Sequence, residues 1–140
     1  MNHRALLTLT LAALLLGGCR ESFQDRCRRE ALDYNAHMCP DTTDCVWQGD
    51  QCYLTVTDSM VYTDDPSGFT YYQTIAGAWD SPSFFTPDLV EGLHDERLAA
   101  LRNSIPLKPY KDHLLTFAYI YRSATTGETL LHFVFTPDDY

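Results

Sequence analysis

Residues 113–136 read HLLTFAYIYRSATTGETLLHFVFT, and the odd positions of this stretch decide the fold. Leu115, Phe117, Tyr119, Tyr121, Leu131, Phe133 and Phe135 are all apolar or aromatic, and alternate residues of a strand share one face. The polar run Ser123-Ala124-Thr125-Thr126-Gly127-Glu128 separates the two halves as a turn would. The stretch therefore predicts a hairpin, residues 113–122 against 129–136, with one strongly apolar face. The even face carries Leu114, Ala118, Ile120, Leu130 and Val134 but is interrupted by Thr116, Arg122 and His132, so partial cover is expected there.

Working back along the chain, residues 53–62 and 69–79 are rich in β-branched and aromatic side chains and flank Asp64-Asp65-Pro66-Ser67-Gly68, which predicts another hairpin with a loop of about five residues. Between the hairpins lies a helix signal: Thr86 as a capping hydroxyl, Pro87 at the first helical position and Asp88 in the first turn. Val90, Leu93, Leu98, Leu101 and Ile105 give this helix an apolar stripe, and Pro106 ends it. A further helix is predicted over residues 22–38, where Ser22 and Asp25 form a capping box and Phe23, Cys27, Ala31, Tyr34 and Met38 recur on one face. The order helix, hairpin, helix, hairpin is that of an α+β domain with a largely antiparallel sheet.

The first 18 residues are of another kind. Arg4 precedes an apolar run over residues 5–16, a signal-peptide pattern too short for a permanent span. Leu16-Gly17-Gly18-Cys19 closes the run, and here the sequence resembles the bacterial lipoprotein class. The resemblance implies cleavage before Cys19, acyl chains on that residue, and an outer-membrane anchor facing the periplasm, because Arg20 stands where inner-membrane retention uses Asp. The organisation expected is a signal peptide over 1–18, a short lipidated tether over 19–21 and one domain over 22–140.

In an exported chain, the remaining Cys27, Cys39, Cys45 and Cys52 are expected to form two disulfides stapling the first helix. Cys27 and Cys39 would lie about 18 Å apart along that helix, beyond the roughly 7 Å reach of a disulfide, so they do not pair with each other. Cys27 with Cys52 and Cys39 with Cys45 is preferred; Cys27 with Cys45 and Cys39 with Cys52 remains open.

Ten Lys and Arg stand against 19 Asp and Glu, a formal charge of −9, so the surface needed to neutralise nucleic-acid phosphates or an anionic membrane is missing. The membrane is reached through the lipid anchor only. No phosphate loop, nucleophile elbow or metal motif is present, and neither a cofactor, a resident metal nor catalysis is expected. Glu91, His94 and Asp95 fall on one side of the middle helix, but a solvated polar face explains them better than a metal site. His132 reads as a sheet residue, and Asp41, Asp44 and Asp50 as turn and capping residues rather than calcium ligands.

One charge feature stands out, the absence of any Lys or Arg between Arg29 and Arg97 across thirteen acidic residues. Aromatic residues within a field of one sign suit a protein interface, anchors for affinity and charge for encounter. Asp64, Asp65, Tyr71, Trp79 and Phe84 are the candidate contact residues for a basic protein partner. In address, size and charge the profile is similar to small lipoproteins that act as immunity proteins against toxins or as inhibitors of cell-wall hydrolases. The alternative expectation is a structural lipoprotein of envelope assembly, docking through a sheet edge or through residues 81–85.

Overall fold

The computed structural model describes residues 20–43, 47–48, 51–52 and 55–140, with only the backbone path of 47–48 and 51–52. Helix α1 (Phe23–His37) is followed by two short strands, β1 (Trp47–Gln48) and β2 (Gln51–Cys52), and then by strands β3 (Thr55–Asp64) and β4 (Ser67–Ile75). Helix α2 (Pro87–Asn103), the five-residue helix α3 (Lys108–Asp112), and strands β5 (Thr116–Ser123) and β6 (Thr129–Phe135) complete the order. The domain is α+β, as the pattern predicts.

Both helices start where their caps are. Asp25 N–H donates to Ser22 Oγ at 3.0 Å and Leu89 N–H to Thr86 Oγ1 at 3.4 Å. At the other ends the apolar stripes overrun the helices: Met38 caps α1 and Ile105 lies beyond α2, 53% and 82% exposed.

The four long strands form one sheet in the order β3-β4-β5-β6. Each predicted hairpin is present, and the first is tighter than expected, with Asp64 opposite Ser67 across a two-residue turn. The sheet is largely antiparallel, with one parallel pair at the junction between the hairpins, where β4 and β5 run from Gly68 beside Thr116 to Ile75 beside Ser123. The reason is the connection: α2 carries the chain back from the end of β4 to the end where β4 began, and a long helical crossover is what a parallel pair needs.

The odd face of the last hairpin is buried throughout, from Leu115 at 1% and Phe117 at 0% to Phe135 at 0%. In register beside it lie Phe69, Tyr71 and Gln73 of β4, then Met60 and Thr57 of β3. Helix α1 covers the β3 side with Cys27 and Ala31, and α2 covers the β6 side with Leu101. His94 packs on Phe133 and Phe135, with ring centroids at 5.7 and 5.1 Å. No described helix lies on the opposite face, where Val61 and Val134 are exposed.

Among the described residues the expected disulfide staple is not formed. Cys27 and Cys39 are free thiols, the first fully buried in the core and acting there as a small apolar side chain. Burial pushes the Cys27 thiol up from its ordinary pKa. Cys39 Sγ sits 3.8 Å from Asn35 Oδ1. Cys19, Cys45 and the side chain of Cys52 lie outside the described residues, as do Asp44 and Asp50.

The two sheet edges differ. On β3, Asn35 acts as a surrogate strand, its Nδ2 donating to Met60 O at 2.9 Å and its Oδ1 accepting from Met60 N–H at 2.7 Å. Asp41 exchanges a further pair of backbone bonds with Thr57. Asn35→Ala is expected to destabilise the domain by about 2 kcal/mol, since both Met60 groups lose their partner at a half-buried edge. Chemical denaturation measures it, and an unchanged midpoint would mean that water replaces the amide. Strand β6, by contrast, bonds to β5 and, among the described residues, to no backbone on its other side.

Candidate functional site

At the end of β4 the chain makes two 3-10 turns, Gly77–Trp79 and Pro82–Phe84, before α2 begins. Gly77 has φ 74°, a left-handed conformation that glycine adopts without a Cβ penalty. The turns bring Trp79 and Phe84 into a stack, with centroids 4.9 Å apart and planes 23° from parallel, and Phe85 meets Phe84 edge-on at 5.5 Å. Trp79 and Phe85 also rest on the core, and all three rings are half-buried.

Asp80 ties this loop to the turn of the second hairpin. Its Oδ2 accepts from Thr125 N–H at 2.9 Å and from Thr125 Oγ1 at 2.7 Å. Hydrogen bonds from the Ser123 and Thr125 hydroxyls hold its carboxyl below the usual carboxylate range. Its other oxygen is buried and has no protein partner.

Immediately after the aromatic group, α2 presents Asp88, Glu91 and Asp95 at spacings of three and four, all exposed and therefore on one outer flank. With Glu96, this flank continues the run that lacks Lys and Arg. His94 turns the other way, half-buried against Phe133 and Phe135 with Nδ1 3.1 Å from Asp95 Oδ1. His94 and Asp95 thus pair with each other, but among the described residues no group of three ligands could hold a metal. Asp41 serves its loop, accepting from Thr43 N–H and from the Tyr34 hydroxyl, both at 2.9 Å. His132 is exposed on the open face of the sheet.

The five candidate contact residues do not form one patch. Trp79 and Phe84 stack, but Asp64 and Asp65 occupy the turn at the other end of β4, about 26 Å away by strand rise. Asp64 is already engaged there, 2.6 Å from the Arg28 guanidinium. Tyr71 points into the core, stacked on Tyr119 at 5.1 Å and edge-on to Tyr34 at 6.3 Å, and burial raises its phenol pKa well above the ordinary value. The acids that do accompany the aromatic pair, Asp88 and Glu91, are signalled in the sequence by their place just after the Thr86 cap.

At the Asp64 end lies a cavity of about 460 Å³, lined by Arg102, Ile105, Lys108, Lys111, Leu114 and Tyr140 among others. Lys111 Nζ donates to the carbonyls of Leu101 and Arg102 at 2.8 and 2.7 Å, closing the C-terminal end of α2. Arg102 Nε donates to the Asp139 carbonyl at 2.9 Å. Lys108 pairs with Asp112 at 2.7 Å.

The fold and these surfaces define a class: a small α+β domain in which two helices cover one face of a mixed four-stranded sheet, with aromatic and acidic groups gathered at one end. The chain belongs to the family described as "Domain of unknown function (DUF8479)", which it matches over residues 22–131. Among solved structures it is similar in fold to a Pseudomonas aeruginosa protein described as "a putative secreted protein". That likeness has a TM-score of 0.57 at 6% identity and covers 84% of this chain and 96% of that one. No curated protein matches the sequence.

Proposed function

We propose that this protein is an exported, membrane-tethered binding protein without catalytic activity, which captures a basic protein through the Trp79–Phe84 stack and the acidic flank of α2. The observation that carries the reading is that stack: a half-buried aromatic pair set at the head of a helix whose exposed side bears Asp88, Glu91 and Asp95. Desolvated aromatic anchors supply affinity and a field of one sign speeds encounter. Export is supported by the signal-like residues 1–18 and by the secreted description of the structural neighbour. Cys19 is the lipid carrier and Arg20 favours the outer membrane, facing the periplasm. In that space the basic partner is a toxin, met by an immunity protein, or a cell-wall hydrolase, met by an inhibitor.

Association of the chain with a basic hydrolase or toxin from envelope extracts or neighbouring-strain secretions tests this. Asp88→Lys with Glu91→Lys is expected to slow association about tenfold at low salt, the difference shrinking as salt rises. Equal rates at every salt concentration would remove the electrostatic part of the reading. The open edge of β6 favours a second reading, an assembly subunit joined by strand addition. A toxin or effector gene beside this one speaks for the first reading, and an assembly operon for the second.

A further inference from the structure

The end of the domain opposite the Trp79–Phe84 stack has a different chemistry. Both lysines of the chain, Lys108 and Lys111, line the cavity there together with Arg102. Carbonyl oxygens hold Lys111 and Arg102 in place without cancelling their charge. Lys108 is paired with the Asp112 carboxylate, and the Asp139 carboxyl stands near Arg102. Around these cations stand, among the described residues, the two most exposed large aliphatic side chains outside the helices, Ile105 at 82% and Leu114 at 67%.

Leu114 is also the one non-glycine residue with positive φ, 58°, among the described residues. A bulky side chain in that region costs energy, and such strain gathers where a side chain has a task. Here it holds an aliphatic group out in solvent, between a lysine-bearing helix and the first core residue of β5.

The amino terminus of the domain emerges at the same place. Phe23, in the first turn of α1, stacks on His113 with centroids 3.6 Å apart, and the Arg26 guanidinium lies 5.9 Å from the ring centroid of Tyr110 in α3. Cys19 precedes Phe23 by four residues, a span of at most about 14 Å when fully extended. A lipid on Cys19 therefore keeps α3 and Leu114 close to the bilayer.

From this we infer that residues 104–114 rest on an anionic phospholipid surface, with Ile105 and Leu114 entering the headgroup region and Lys108, Lys111 and Arg102 facing the lipid phosphates. The inference rests on the tethered reading above and adds an orientation to it. Aliphatic side chains flanked by long cations suit that interface, the apolar parts entering and the charged heads staying at phosphate level. Acids also stand at this end, Asp112 paired with Lys108 and Asp64 with Arg28, with Asp65 beside Asp64, so the attraction is local to the cavity cations, while the acidic flank of α2 starts at the far end, beyond a Debye length of about 10 Å. The Trp79–Phe84 stack then points away from the membrane, toward a partner in the periplasm.

Because the chain has two lysines and both are here, a water-soluble amine reagent reads this surface directly. Full-length processed protein is reconstituted in vesicles of phosphatidylethanolamine and phosphatidylglycerol and compared with the same protein in non-ionic detergent. Acylation of Lys108 is expected to slow at least about fivefold in vesicles, the factor matching the attraction of one lysine to an anionic surface. Ile105→Ser with Leu114→Asn is expected to recover most of the detergent rate without lowering the melting temperature, since asparagine tolerates the left-handed conformation at 114. Equal Lys108 rates in vesicles and detergent, on protein whose mass shows lipid on Cys19, would overturn the inference and leave the tethered reading standing. Protection that appears only when an acidic protein is added would overturn it too, placing a protein at this surface instead. An unmodified Cys19 would remove both.

Discussion

Gly68→Ala is expected to destabilise the domain by more than about 3 kcal/mol, enough to leave a small domain largely unfolded at moderate denaturant. Gly68 opens β4 opposite Thr116, and a Cβ placed on it would lie 2.2 Å from the Thr116 carbonyl oxygen and 2.9 Å from its carbon. Both atoms are backbone of the neighbouring strand, so relief requires β4 and β5 to move apart. Their parallel register is what joins the two hairpins into one sheet. Gly92 provides the comparison. It lies in α2 with nothing within 4 Å of an added Cβ, so Gly92→Ala is expected to stabilise by up to about 1 kcal/mol. Urea denaturation of the two variants should move in opposite directions. Similar midpoints would mean that the β4–β5 approach is looser than described.

Trp79→Ala is expected to weaken binding of the proposed basic partner by about 2–4 kcal/mol, at least thirtyfold, mostly through faster dissociation. The large effect follows from its two contacts, since Trp79 both stacks on Phe84 and rests on the core, so its loss removes the support of the Phe84 ring. Phe84→Ala separates binding from folding: Phe84 stacks on Trp79 rather than on the core, and its loss should cost affinity with the melting temperature held. Asp64→Lys with Asp65→Lys should leave both unchanged apart from the surface pair with Arg28. If the Asp64 and Asp65 changes abolish binding while Phe84→Ala does not, the contact surface lies at the other end of the sheet.

That last comparison marks what linear sequence could not resolve. Asp64, Asp65, Tyr71, Trp79 and Phe84 fall within 21 positions, and composition alone groups them. Strand β4 separates the acids from the aromatic pair because an extended chain gains about 3.3 Å per residue. Tyr71 and Tyr72 are equivalent by composition, yet Tyr71 faces Tyr119 in the core while Tyr72 meets the Arg122 guanidinium at 4.7 Å on the open face. Only the register of β4 against β5 assigns those sides. The basic and aliphatic end was similarly hidden, because Lys108, Lys111 and Leu114 look unremarkable until Phe23 is found beside His113.

Other elements were legible for local reasons. The caps at Ser22 and Thr86 act within three residues, and the odd face of residues 113–136 follows from strand alternation, so both survive whatever surrounds them. The cysteine spacing, by contrast, suggested a staple that is not formed among the described residues, where Cys27 packs into the core as a thiol.

Sequence by itself determined the two long helices and four long strands, the buried side of the last hairpin, the signal-like first 18 residues and the long stretch without a cation, since each depends on neighbours a few residues apart. Tertiary structure alone decided that the hairpins meet in parallel, that Trp79 stacks on Phe84, and that strand β4 holds Asp64 and Asp65 away from them. Those features depend on which way a strand runs and what packs beside it. Contacts between residues such as Phe23 and His113, 90 positions apart, set both.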